Sequence, residues 1–207
     1  MGNYVDSNTF AENAGGVKLS EEKFRQMRDE ILKMSFVQKM QYNRNFQRID
    51  DYMTNGDTQP AIVYSVKPLI ISAYSDEMDG VVFLEFPDRL AEMYNLHTGM
   101  RLVTSNVYNC GFKIAKDINT GAGYLKRYTD FIPIVQLFLT KDEDYVMKRT
   151  ELFDENVWDR IKQLTEKYSQ SGNKARKGFY YFTKVNGGTI FCICCIVAGV
   201  GIGFFGG

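Results

Sequence analysis

The sequence predicts an α+β fold: a small antiparallel sheet or partly closed barrel, with an N-terminal helical arm, two C-terminal helices and a hydrophobic C-terminal tail. Three observations predict it. Residues 19–55 and 141–172 place apolar side chains at helical spacing. Residues 60–140 break into short runs of valine, isoleucine, phenylalanine and tyrosine, separated by turn residues. From Val185 to Gly207 the chain carries no charge. The expected organisation is a flexible lead-in over 1–18, a helical arm over 19–55, an α+β domain over 56–172, a basic and aromatic juxtamembrane linker over 173–184, and a membrane segment over 185–207.

The arm opens at Ser20, an N-cap residue followed by Glu21 and Glu22, whose charge suits the positive end of a helix. Phe24, Met27, Ile31 and Met34 step by three and four. Phe36, Val37 and Met40 break that frame, and Tyr42, Phe46, Ile49 and Met53 resume it on a shifted phase. The pattern fits one long helix with a stutter or two helices with a bend, ending at Asn55-Gly56. Such a seam serves either an oligomerising coiled coil or an amphipathic arm packed on its own domain.

Strands are expected over Ala61–Val66, Leu69–Tyr74, Val81–Phe86, Met100–Val107, Phe112–Ile118 and Phe131–Leu139. Lys67-Pro68, Asp79-Gly80, His97-Thr98-Gly99, Asn109-Cys110-Gly111 and Asn119-Thr120-Gly121 punctuate them. Pro87 opens a short helix over 87–94, where its missing N–H costs no hydrogen bond. Thr140 and Asp154 are expected N-caps for the two later helices. The second buries a face of Val157, Trp158, Ile161, Leu164, Thr165 and Tyr168 and stops at a hinge over Ser169–Asn173.

The segment Phe86-Pro87-Asp88-Arg89-Leu90-Ala91-Glu92-Met93-Tyr94-Asn95-Leu96-His97-Thr98-Gly99-Met100-Arg101-Leu102 runs strand, short helix, turn, glycine, strand. It resembles the psi-loop element of double-psi and swapped-hairpin barrels. The resemblance implies a small barrel and carries no activity with it.

Charge and composition exclude several functions. Lysine plus arginine and aspartate plus glutamate both number 25. A zero balance speaks against a nucleic-acid partner, whose binding rests on neutralising phosphates. Fifteen phenylalanines and thirteen tyrosines supply a core. Cys110 stands alone in the body, and Cys192, Cys194 and Cys195 crowd the tail, so neither a disulfide framework nor a zinc site is expected. No cofactor is implied.

Little else suggests catalysis. His97 is the only histidine and reads as a surface turn residue. A Cys110–His97 thiol–imidazole pair is conceivable. Asp76-Glu77-Met78-Asp79 could bind a cation or act as paired carboxylates, against the simpler reading of a solvated hairpin loop. Gly121-Ala122-Gly123 lacks the lysine and hydroxyl residue of a phosphate loop. Lys126 and Arg127 beside Tyr124 and Tyr128 do not outweigh the neutral charge. No residue set supports a catalytic or metal-binding role.

The tail is the strongest functional signal. About 20 helical residues span a bilayer core of about 30 Å. Ile190, Phe191, Ile193, Ile196, Val197, Val200, Ile202 and Phe204 are the expected anchor residues. Together with the remaining apolar residues they favour insertion by on the order of 3–5 kcal/mol, before glycine is counted against it. Gly199 and Gly203, four apart, suit close helix packing. Lys174, Arg176, Lys177 and Lys184 precede the run and no basic residue follows it, so the expected product is a single-pass membrane protein with a cytoplasmic body. Phe179–Phe182 are expected at the interface.

The expected function is a non-catalytic, membrane-tethered binding or regulatory module. Its partners are a lipid bilayer, an unidentified protein and a second copy of the chain. A first alternative is a membrane-active, permeabilising effector, because Gly199, Gly201 and Gly203 also alternate. A second is a peptide precursor: Val185-Asn186-Gly187-Gly188 resembles a double-glycine leader site, and the residues after it resemble a bacteriocin-like core.

Overall fold

A computed structural model of the chain describes residues 11, 13–32, 34, 39–40, 43 and 45–179. The expected membrane segment, Lys184 and Tyr180–Phe182 lie outside the described residues. The fold is α+β, built on a mixed, curled six-stranded sheet.

The arm is not one continuous helix: among the described residues it breaks at Leu32 and Met34, and residues 39–40 and 43 are helical apart from the two helices that follow. Ser20 caps α1 (Glu21–Gln26), its hydroxyl accepting from the Lys23 N–H. The Leu32 N–H then reaches the Met27 carbonyl at 2.9 Å, five residues back, so the chain widens into a π-helix over Met27–Ile31. Phe24, Met27, Ile31 and Met34 are all buried. The second helix, α2 (Phe46–Asn55), ends before Gly56 as expected. It buries Ile49 and Met53, and Phe46 meets Phe24 edge-on at 5.0 Å. Among the described seam residues, Phe24, Met27, Ile31, Met34, Ile49 and Met53 therefore pack on the chain's own domain, while Met40 is exposed. Residues 13–20, expected to lead in flexibly up to residue 18, are held to the body. Ala14 bridges Asp57, the Gly15 and Gly16 N–H groups reach the Gly56 and Thr54 carbonyls, and Val17 is buried.

The sheet runs β5-β4-β1-β2-β3-β6. Its strands are β1 (Asp57–Val66), β2 (Leu69–Ser75), β3 (Gly80–Phe86), β4 (Arg101–Asn109), β5 (Asp130–Val135) and β6 (Arg176–Lys177). Every pairing is antiparallel except β3–β6, which is parallel. Both faces are covered, which explains why β3 reads as a continuous apolar run from Val81 to Leu84. Val82, Leu84 and Phe86 join the main core, while Val81 and Phe83 face the last helix.

That helix, which we number α5 (Glu155–Gln170), follows α3 (Arg89–Met93) and α4 (Glu143–Lys148). Asp154 caps it, accepting from the Val157 N–H at 3.0 Å. Trp158, Ile161, Leu164 and Tyr168 pack against Ile62, Val81 and Phe83. Burial of each such side chain contributes roughly 1.5–3 kcal/mol. The Trp158 indole N–H is satisfied by the Phe153 carbonyl at 3.1 Å. The cap of α4 is Asp142 rather than Thr140: Asp142 accepts from the Tyr145 N–H, and the Thr140 hydroxyl accepts from the Asp142 N–H.

Two expected strands change. The segment Phe112–Ile118 pairs with nothing in the sheet, because β4 already has β1 on one edge and β5 on the other. The run Phe131–Leu139 stops at Val135 and turns into a 3-10 helix, Gln136–Phe138. Gln136 points inward, donating to Thr58 Oγ1 at 3.2 Å and Ser105 Oγ at 3.0 Å.

The psi-like segment holds the expected short helix, followed by Gly99 at φ +85°, a conformation that favours glycine. The strands it joins, β3 and β4, are separated by β2 and β1. At the Phe86 end of β3, Phe86 packs on Phe138 and Phe179, and Tyr94 packs on Phe138. The packed body thus continues beyond Gly172 as far as Phe179, which is buried against Phe86 rather than left for a membrane interface.

Candidate functional site

The other end of β3 carries the acidic turn, and there the chain clamps an exposed loop. Asp79 sits at φ 42°, just before Gly80 starts β3. Glu77 and Asp79 are buried, not solvated. Asp79 receives the Arg160 fork from α5, with Nε at 3.1 Å and Nη2 at 2.7 Å, and the Gly123 N–H at 2.9 Å. Its carbonyl accepts the Gly121 N–H at 2.9 Å. Glu77 accepts Arg127 Nε at 3.1 Å, and its carbonyl accepts the Leu125 N–H at 3.2 Å.

The Glu77 and Asp79 carboxylates are occupied by Arg127 and Arg160, whereas Asp76 is exposed and accepts from Tyr108 Oη at 3.2 Å. Among the described residues no group of three or more His, Cys, Asp or Glu side chains is placed to hold a metal ion. Burial raises the Asp79 pKa, but Arg160 and the Gly123 N–H outweigh it and hold the carboxyl below its ordinary range. Burial also pushes the neighbouring Tyr74 phenol far up, reinforced by Asp79 and Asp76. The Gly121-Ala122-Gly123 nest is filled by the protein's own Asp79. A Cβ at Gly121 would lie 2.0 Å from Asp79 Oδ2, so only glycine allows this approach.

The acidic turn therefore clamps the β4–β5 loop, residues 110–129. Further bonds fix the loop: Ala115 N–H to the Thr129 carbonyl at 2.8 Å, Tyr124 Oη to the Tyr128 carbonyl at 2.7 Å, and Tyr108 stacked on Tyr128 at 4.8 Å. Yet the loop holds three large apolar side chains out in solvent: Phe112 fully, Leu125 53% exposed and Ile114 39% exposed. Lys113, Lys116 and Lys126 are exposed among them. Sequence reasoning missed this patch. The alternation Phe112-Lys113-Ile114 is also that of a half-buried strand, and only the pairing of β4 with β5 in its place separates the two.

The remaining predicted residues are scattered. His97 is exposed in the turn before β4, and Cys110 is exposed just after β4. Nine strand residues separate them, about 30 Å at 3.4 Å each, so no thiol–imidazole pair exists. Lys174 and Lys177 are exposed. Arg176 is not a free basic flank. From β6 its guanidinium reaches across to β5, donating to the Phe131 carbonyl and to Asp130, each at 2.8 Å, and to both oxygens of Asp117. The two edge strands are thus bridged by a side chain where a closed barrel would have a backbone ladder. Burial lowers and the two carboxylates raise the Arg176 pKa, for a net rise. Burial raises both carboxyls; Arg176 overcomes it at Asp117, which falls below its ordinary value, but not at Asp130, which stays above. The anchor residues Ile190, Phe191, Ile193, Ile196, Val197, Val200, Ile202 and Phe204, and Gly199 and Gly203, lie outside the described residues.

No family model, curated protein or solved structure matches the chain. Fold and site define it by architecture alone: an α+β domain on a mixed six-stranded sheet, with a braced apolar and basic loop at one end.

Proposed function

We propose that the chain is a non-catalytic binding or regulatory module tethered to a membrane by its C-terminal segment, with its α+β body in the cytoplasm. The observation that carries this reading is the uncharged run Val185–Gly207, preceded by Lys174, Lys177 and Lys184. Arg176 contributes less to orientation than the sequence implies, because its charge is matched by Asp117 and Asp130. A membrane fraction from cells making the full chain, washed in alkaline carbonate, tests the tether. The chain stays in the pellet if the tail is inserted, and its release into the wash overturns the reading.

A second reading, a permeabilising effector, is favoured by the glycine alternation at 199, 201 and 203. A synthetic peptide of residues 179–207 decides it. Dye release from vesicles at sub-stoichiometric peptide supports the effector, and binding without release removes it.

A further inference from the structure

We propose that the β4–β5 loop is a bilayer-docking surface, taking an anionic lipid surface as its partner. Phe112, Ile114 and Leu125 enter the acyl boundary, and Lys113, Lys116 and Lys126 meet the headgroups. The proposal does not need the tail to insert.

Three features carry it. First, the apolar exposure is built in. The arms of the loop are held together by Ala115 to Thr129 and by Cys110 Sγ to the Arg127 carbonyl, and its base is clamped by Glu77 and Asp79. A loop so braced has fixed its apolar side chains outward. Second, the charge is sorted. Of the nearby acids, Glu77 and Asp79 are paired with Arg127 and Arg160, Asp117 and Asp130 share Arg176, and the exposed Asp76 accepts from Tyr108 Oη. Lys113, Lys116 and Lys126 are exposed and have no ion-pair partner among the described residues, so the unpaired charge on the loop itself is positive. Third, the chain entering the tail is stitched to this loop. Asn173 Nδ2 donates to the Asp117 carbonyl, and Arg176 holds the Asp117 carboxylate. The exposed Lys174 therefore belongs to the same basic neighbourhood.

The composition selects a bilayer over a protein. Protein interfaces are rich in arginine and poor in lysine. Here the arginine of the loop is paired inward and the lysines are left free. Lysine stems lie along apolar surface while their ammonium groups reach headgroup phosphates, and basic clusters beside apolar side chains read as contacts for anionic lipid.

The test uses the full-length chain carrying Phe112→Trp and vesicles with brominated acyl chains. The native Trp158 is fully buried, so quenching by the bilayer reports residue 112. The expected result is strong quenching with phosphatidylcholine–phosphatidylserine vesicles and weak quenching with phosphatidylcholine alone. In that background Lys113→Gln or Lys126→Gln should each weaken partitioning about fivefold. An unquenched residue 112 on a chain that still pellets with vesicles overturns the proposal, as does equal quenching with neutral and anionic vesicles. Release by carbonate, with charge-dependent quenching retained, would remove the tail anchor and leave the docking loop standing.

Discussion

Arg176→Met is the most informative single substitution. Methionine keeps much of the stem and removes the guanidinium that joins β6 to β5. The Arg176 side chain is 13% exposed, and Asp117 and Asp130 are 27% and 28% exposed. Removing one partner from a fully buried pair costs about 3–5 kcal/mol, and an exposed pair contributes about 0–1. Carboxylates about one-quarter exposed fall between these limits, giving an expected loss of about 2–4 kcal/mol. Urea unfolding of the full-length chain, followed by Trp158 fluorescence, measures it. With a slope of about 2 kcal/mol/M, the midpoint should fall by about 1–2 M at unchanged slope. Adding Asp117→Asn and Asp130→Asn should restore half or more of the loss, because the penalty is mainly two carboxylates left without a counter-charge. A midpoint within about 0.25 M of the parent would refute the reasoning and make Arg176 an ordinary surface arginine. A triple variant as weak as the single one would assign the loss to packing.

Acid titration separates the carboxylates. Asp79 and Asp117 have depressed folded pKa values, so their stabilisation is present above the unfolded value near 3.8 and is lost as pH falls through the folded values. The raised Asp130 has the opposite sign and favours the fold as it protonates. Asp117→Asn should flatten the loss of urea midpoint between about pH 5 and pH 2, and Asp130→Asn should steepen it. Gly121→Ala should loosen the loop, since its Cβ would collide with Asp79 Oδ2. A loss of about 1–3 kcal/mol, with faster limited proteolysis within residues 110–129, is expected, and parental resistance would refute the clamp. In the tail, Gly203→Leu should weaken self-association in an inner-membrane reporter while leaving insertion intact. Unchanged association would remove the packing role of that glycine.

What the sequence determined by itself is local. Alternating and helical apolar periods gave an α+β chain; Ser20 and Asp154 capped the helices expected of them, Asn55-Gly56 marked the right boundary, and the short helix expected from Pro87 starts two residues later, at Arg89. These signals act within a few residues, through backbone hydrogen bonds and side-chain spacing, and are legible wherever the chain is read. Tertiary structure decided the rest. Phe112–Ile118 has the alternation of a strand, but the place beside β4 that it would take as the next strand is filled by β5. Glu77 and Asp79 of the acidic turn are buried because Arg127 and Arg160, 50 and 81 residues away, neutralise them. Arg176 reads as a flank of the tail and instead bridges the sheet, since Asp130 and Asp117 lie 46 and 59 residues away. An isolated ionic side chain looks the same in sequence whether it will face water or a partner. Burying a charge is favourable only when its counter-charge arrives with it, and that arrival is a property of the folded chain.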